Sequence, residues 1–219
     1  MDERWQSLPF AVHHPSRMQI LLSHATAIPP LLEAMQTDTA NVRSVQAGFS
    51  KILSTLQTWE DCFVADGMLY QLVDPDHFDL PAKPQLLPDP CFAFLDVSHA
   101  NSLTHCWGFR IVCLLQLSKL ETLLAGDGVH ISEVQHNRHA EVKDLCYKIC
   151  RGLPFLLQKD MSLYGSMSAG FPLHMVSESL QTLQLEDYSL IGWCTATKEQ
   201  VQCQRIALYE DMAGFAPST

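Results

Sequence analysis

The stretch from Ala40 to Val64 repeats its apolar side chains with a period that no strand can use. Val42, Val45, Phe49, Ile52, Leu56, Trp59 and Phe63 fall three or four residues apart, so a helix puts them on one face. Arg43, Gln46, Ser50 and Gln57 fall on the other, which predicts a surface helix with one side buried. The same period runs through most of the chain. Met18, Leu21, Leu22 and Ala25 share a face after "HHPS". Pro29 and Pro30 end that helix and open the next, because proline suits a first turn.

A further helix is expected from Ser98, as N-cap, to Ala125, with Gly126 as terminator. Leu103, Trp107, Ile111 and Leu114 lie on one side of it, and Phe109, Val112, Cys113 and Leu120 on another. A helix apolar all round belongs in the middle of a core. "SEVQ" at Ser132 has the capping-box pattern for a helix through Cys150, which Gly152 and Pro154 are expected to interrupt. "MSLYGSMSAGFP" reads as a small-residue loop, with Pro172 opening a helix that carries Leu173, Val176, Leu180 and Leu183. "TKEQ" at Thr197 is expected to cap the last helix. No run of strand-like alternation is visible. The expectation is an all-α chain, one domain over residues 1–219, with antiparallel and crossing helices around a central apolar one. Residues 74–90, "DPDHFDLPAKPQLLPDP", hold five prolines and four aspartates. Proline removes amide donors and disfavours helix before it, so this segment reads as an extended crossing loop.

Charge narrows the function. Net charge is -10, with 14 Lys and Arg dispersed rather than clustered. Nucleic-acid binding needs a basic patch or stripe, so no direct contact with nucleic acid is expected. The apolar run "CWGFRIVCLLQL" is broken by Arg110 and Gln116, well short of the roughly 20 residues that span a bilayer; no membrane helix is expected. The start, "MDERWQSLPF", is acidic where a secretory signal would be basic. The chain is expected inside the cell, in nucleus or cytoplasm.

Eight cysteines in that setting are reduced thiols, and none forms a C-x-x-C pair. Cys146 and Cys150 lie one turn apart in "KDLCYKICRGLPFLL", just after His136 and His139, so a zinc site has to be considered. Ten residues of helix, about 15 Å, separate His136 from Cys146, while zinc holds its ligands within about 2.3 Å. Instead Val142, Leu145, Cys146, Ile149, Cys150 and Leu153 make a continuous apolar stripe, with Lys143, Asp144, Tyr147, Lys148 and Arg151 opposite. Both cysteines read as core, and neither metal nor cofactor is expected.

No phosphate-loop, dinucleotide, zincin or nucleophile-elbow motif occurs. "YGSMSAG" lacks the lysine and the preceding strand of a phosphate loop and reads as a surface turn. "DPDHFD" lacks the glycine of a calcium loop and reads as solvated. His13 and His14 precede Pro15 where a helix begins, in capping or exposed positions. His99 and His105 on the central helix and His174 on a late one read first as structural histidines. His105 adjoins Cys106, but helix neighbours point in different directions, and a Cys/His couple needs the two side chains to meet.

Four segments, in order, resemble landmarks of the C-terminal regulatory region of fungal zinc-cluster transcription factors. They are "WQSLPFAVHHPSRMQILLSHATAIPPLLEAM", "FLDVSHANSLTHCWGFRIVCLL", "EVKDLCYKICRGLPFLL" and "YGSMSAGFPLHMVSESL". Within them stand a Trp-x-x-Leu-Pro element, an Ala…Trp helix after a Pro-rich loop, Ile149 to Pro154, and Phe171 to Leu173. Family members also carry an N-terminal six-cysteine zinc cluster, which is missing here: the first two cysteines are Cys62 and Cys91. The resemblance therefore implies the regulatory helical region without its DNA-binding module. It suggests a protein that modulates a fungal secondary-metabolite pathway through ligand or partner binding, the partner a full-length transcription factor or co-regulator and the ligand an apolar small molecule. The alternative is a pathway enzyme that cyclises or isomerises an apolar molecule between helices. Its candidates are His99, His105 and His174, with Trp107 lining the pocket. A third reading is an inert remnant, or a dominant-negative relative that occupies a regulator's dimer partner.

Overall fold

A computed structural model describes residues 14–37, 41–65, 70–80, 89–125, 133–184 and 187–214, with side chains not described at 125, 162–163 and 204–214. His13, Gly126 and Ser132 lie outside the described residues. The protein is all-α, with helices packed on one another and one very small sheet. The helices are α1 Arg17–Ala25, α2 Ile28–Thr37, α3 Val42–Ala65, α4 Val97–Ala125, α5 Glu133–Leu156, α6 Ser162–Thr182 and α7 Tyr188–Gly214.

α1 begins at a full capping box: Gln19 N–H donates to Ser16 Oγ at 3.2 Å, and Ser16 N–H to Gln19 Oε1 at 2.7 Å. Leu21 and Ala25 turn into the core, but Leu22 is 43% exposed, against expectation. Pro29 and Pro30 occupy the first turn of α2, as expected. On α3 the stripe from Val45 to Phe63 is buried. α4 lies at the centre, against α1, α3, α5 and α6; Leu103, Cys106, Trp107, Ile111 and Leu114 are at most 1% exposed. The buried apolar side chains join in one cluster.

Several sequence expectations fail for identifiable reasons. Ser98 is not the cap of α4, which starts at Val97: Asp96 accepts the His99 N–H at 2.9 Å and the Ala100 N–H on its carbonyl at 3.1 Å. Gly152 and Pro154 do not interrupt α5. Pro154 lies in the last turn, where it removes one amide, and Leu157 N–H still reaches Leu153 O at 3.0 Å. Thr197 does not start a helix but lies within α7, fully buried. The start belongs to Asp187, whose carboxylate accepts the Leu190 N–H and whose carbonyl accepts that of Ile191.

The largest correction is "MSLYGSMSAGFP". It is not a loop but the first half of α6, with Pro172 inside the helix. Small residues serve close packing here. A Cβ on Gly165 would sit 1.7 Å from the Leu156 carbonyl oxygen, so the start of α6 rests on the end of α5 as no larger residue could. Ser166 and Ala169 are fully buried beside it. A Cβ on Gly108 of α4 would sit 2.7 Å from Phe171, so α6 also approaches the central helix closely. Tertiary contact outweighs weak intrinsic helix preference.

Strands, unexpected from the sequence, form at the rims of the 74–90 segment. β1 (Tyr70–Val73) and β2 (Cys91–Phe94) pair antiparallel, Tyr70 opposite Phe94 and Val73 opposite Cys91. Four residues each are too few to show alternation in the sequence, and β2 is largely buried. Tyr70 stacks on Phe92 with centroids 4.0 Å apart. Inside the segment, Asp74 caps a single 3-10 turn at Pro75–His77. Phe78, expected in a solvated loop, is 2% exposed.

Candidate functional site

The central helix carries three of the four nominated residues, and each has a local duty. His99 places Nδ1 2.8 Å from Asp96 Oδ1 and its ring edge against Phe63, joining the start of α4 to the end of α3. His105 sets Nδ1 2.8 Å from the Asn101 carbonyl. A carbonyl can only accept, so Nδ1 carries the proton. Burial pushes the His105 imidazole below its ordinary range, against the Asn101 bond, and it stays neutral between the rings of Phe109 and Phe171. Trp107 is 1% exposed and lines no described pocket; its indole N–H donates to Glu60 Oε1 at 2.8 Å. His174 is exposed on α6.

His99 and His105 do not converge on one point. Six residues of helix put about 9 Å of rise between His99 and His105, and His105 is not the partner of Cys106. The Cys106 thiol instead faces the Leu56 carbonyl at 3.7 Å, and burial holds it protonated.

Cys146 and Cys150 are wholly buried in the α5 stripe. Cys150 hydrogen-bonds the Cys194 sulfur of α7, and burial, then that bond, raises its pKa. Burial also pushes Cys146 up to about 12. Among the described residues, no group of three or more His, Cys, Asp or Glu is placed to hold a metal ion.

A half-hidden polar network beside Trp107 was not foreseen. Arg110 of α4 bridges Glu60 of α3 and Glu141 of α5, and Gln57 adds a bond to Glu141 at 3.4 Å. Arg110 and Glu60 are only 11% and 12% exposed. Glu60 and Glu141 raise the guanidinium pKa against its burial. The signal lay in the sequence: an arginine inside "CWGFRIVCLLQL" needs carboxylates, because charges seldom enter a core unpaired.

The open recess lies elsewhere, between α1 and α3. A cavity of about 520 Å³ is lined by Arg17, Ile20, His24, Trp59, Cys62 and Phe63, with Ser54, Thr55 and Thr58. A second hollow of about 450 Å³ shares His24 and Thr55 and continues to Leu31, Gly48 and Lys51. None of His99, His105, Trp107 or His174 lines either one. Ile52, Trp59 and Phe63 were expected on the buried stripe of α3, and the short side chains of Ser54, Thr55 and Thr58 beside them leave the space.

Among the described residues, no helix is long and apolar enough to cross a membrane. Set against family models, curated proteins and solved structures, the chain matches none.

Proposed function

We propose that this chain is a regulatory helical protein that acts by binding. It would influence transcription of a fungal secondary-metabolite pathway through a DNA-bound partner. One observation carries the choice of binding over catalysis: His99, His105 and Trp107 are spent on separate structural contacts and His174 stands exposed on another helix, while an open recess lies elsewhere. Catalysis by acid and base needs groups that converge on one reacting atom.

The transcriptional part rests on the resemblance. Its landmarks coincide with architectural contacts, which is where a likeness of fold should be found. Gly152, within Ile149 to Pro154, would place a Cβ 3.1 Å from Phe94, and Phe171 packs on Gly108. Fold alone does not carry function, so the test is genetic. Deleting the gene should silence the pathway transcripts, and the chain should co-precipitate a DNA-bound regulator from nuclei. Transcripts that persist while the pathway product disappears would refute the proposal in favour of catalysis.

A further inference from the structure

Three cysteines gather where α5 passes α7: Cys146 and Cys150, one turn apart on the buried face of α5, and Cys194 of α7. Their contacts are selective. Cys150 hydrogen-bonds the Cys194 sulfur, whereas Cys146 hydrogen-bonds the Ser179 side chain of α6. The two members of the sulfur pair also differ in access. Cys194 lines a cleft of about 170 Å³ between α6 and α7, with Ser177, Gln181, Ile191, Thr195 and Lys198 among the other lining residues. Cys150 is fully buried behind it. Lys198 stands one turn beyond Cys194, and no lining residue is acidic, so an anionic sulfur there has a cation in the same cleft. An outer thiol that opens to solvent, with an inner thiol in contact behind it, is the arrangement of an oxidisable cysteine and its resolving partner.

We propose that Cys194 and Cys150 form a peroxide-reactive dithiol: Cys194 is oxidised from the α6–α7 cleft, and Cys150 then closes a disulfide between α5 and α7. The substrate class is a small hydroperoxide. A water takes about 30 Å³ of liquid and hydrogen peroxide is little larger, so the cleft admits it. The 3% of Cys194 left exposed is too little for a bulky alkylating agent. In the first step the Cys194 sulfur attacks one peroxide oxygen and the O–O bond breaks. The sulfur becomes a sulfenic acid, and the released hydroxide takes the Cys194 proton and leaves as water. In the second step the Cys150 sulfur attacks Cys194 and the S–O bond breaks. The departing hydroxide takes the Cys150 proton and leaves as a second water. Two electrons pass from the thiols to the peroxide, and no other reactant is needed. The bridge ties α7, which packs on α6, directly to α5 and closes a loop of about 44 residues. This chemistry goes beyond the regulatory reading and does not depend on it.

The test treats the reduced, folded chain with a few equivalents of hydrogen peroxide, quenches with acid, and maps disulfides and dimedone adducts by peptide mass spectrometry. A Cys150–Cys194 bridge should form, reverse with dithiothreitol, and raise the thermal midpoint by about 5 °C or more. The unsubstituted chain carries this arm, so it does not depend on a core variant folding. Cys150→Ser should leave Cys194 as a sulfenic acid that dimedone traps, and Cys146→Ser should bridge as the parent does. Ile191→Trp fills the cleft from an exposed position. It and Lys198→Glu should each slow bridging about tenfold and leave the melt of the reduced chain unchanged. Low urea should not speed the reaction.

Oxidation confined to the exposed Cys62 and Cys203 would overturn the proposal, as would a bridge from Cys194 to Cys146 or between two chains. So would bridging that low urea accelerates, or that neither cleft variant slows, because the thiols would then be reached by unfolding.

Discussion

Trp107 and Glu60 lock the central helix to α3 through an indole N–H that meets a carboxylate oxygen at 2.8 Å. The other oxygen of Glu60 takes the Arg110 guanidinium. Losing Glu60 would leave the Trp107 N–H without its acceptor and Arg110 with the more exposed Glu141 alone, and removing one partner of a buried ion pair costs on the order of 3 kcal/mol. Glu60→Ala is therefore expected to lower the urea midpoint sharply, and Glu60→Ala combined with Arg110→Met to recover much of the loss. A double variant no more stable than Glu60→Ala would show that Arg110 is not the stranded charge.

Gly165→Ala should be among the most damaging small changes in the chain. The new methyl would meet the Leu156 carbonyl oxygen, and neither backbone can turn aside. A loss of several kcal/mol is expected, on the order of the larger single-residue effects known. Gly108→Ala should cost less, because the obstacle there is the ring of Phe171, which is only partly buried and able to rotate. Thermal midpoints of the two variants should rank in that order.

The Thr197 hydroxyl is buried and has no hydrogen-bond partner among the described residues. An unmet buried hydroxyl is destabilising. Thr197→Val, which keeps the shape, should leave stability unchanged or raise it by about 1 kcal/mol. A clear fall in the denaturation midpoint would mean that the hydroxyl has a partner.

Stability should depend on pH at both extremes through Asp187 and Tyr147. Asp187 accepts the Tyr147 and Ser189 hydroxyls and the Leu190 N–H, and Lys143 lies 3.6 Å away. The Tyr147 bond leads in holding the carboxyl at about 2, against the effect of burial. A carboxyl lowered by folding stabilises above its unfolded pKa and loses that effect as pH falls through the folded one. The contribution is thus whole above about pH 4 and vanishes toward 2. Tyr147 is pushed up to about 12, first by the Asp187 bond, so its share is whole below about pH 10 and fades as pH rises toward 12. Asp187→Asn should lower stability at neutral pH and flatten the acid limb of a urea-midpoint profile.

Alkylation under native conditions should mark Cys62 and Cys203 and spare the six buried thiols. Burial raises Cys91, Cys113 and Cys146 each to about 12, and the thiolate is the reactive form. Peptide mapping after a short exposure would show this; early labelling of Cys146 or Cys150 would contradict the packing of α5.

Sequence reading succeeded where one period persists over several turns. The α3 stripe from Val45 to Phe63, the apolar α4 and the cysteine-bearing face of α5 are buried as expected. It failed where a local rule was overruled from a distance. Gly165 and Pro172 look like loop residues until Leu156 is brought against Gly165, and Gly108 against Phe171 next to Pro172. The ribbon of Tyr70–Val73 and Cys91–Phe94 depends on pairing across a long interval. The recess between α1 and α3 was hidden for a related reason: Arg17 and Phe63 are far apart in sequence, and only the packing of α1 on α3 brings the guanidinium to 4.4 Å from that ring.

Because Val73 stands opposite Cys91, the chain leaves the helical body and returns to it at the same point. Phe78 and Leu80 nonetheless reach into the core between the two strands, and Asp79 meets Lys159 at 2.8 Å. A longer excursion would add only about 0.6 kcal/mol of closure entropy per doubling, so a tag or cleavage site is best grafted after Leu80, where those contacts are kept.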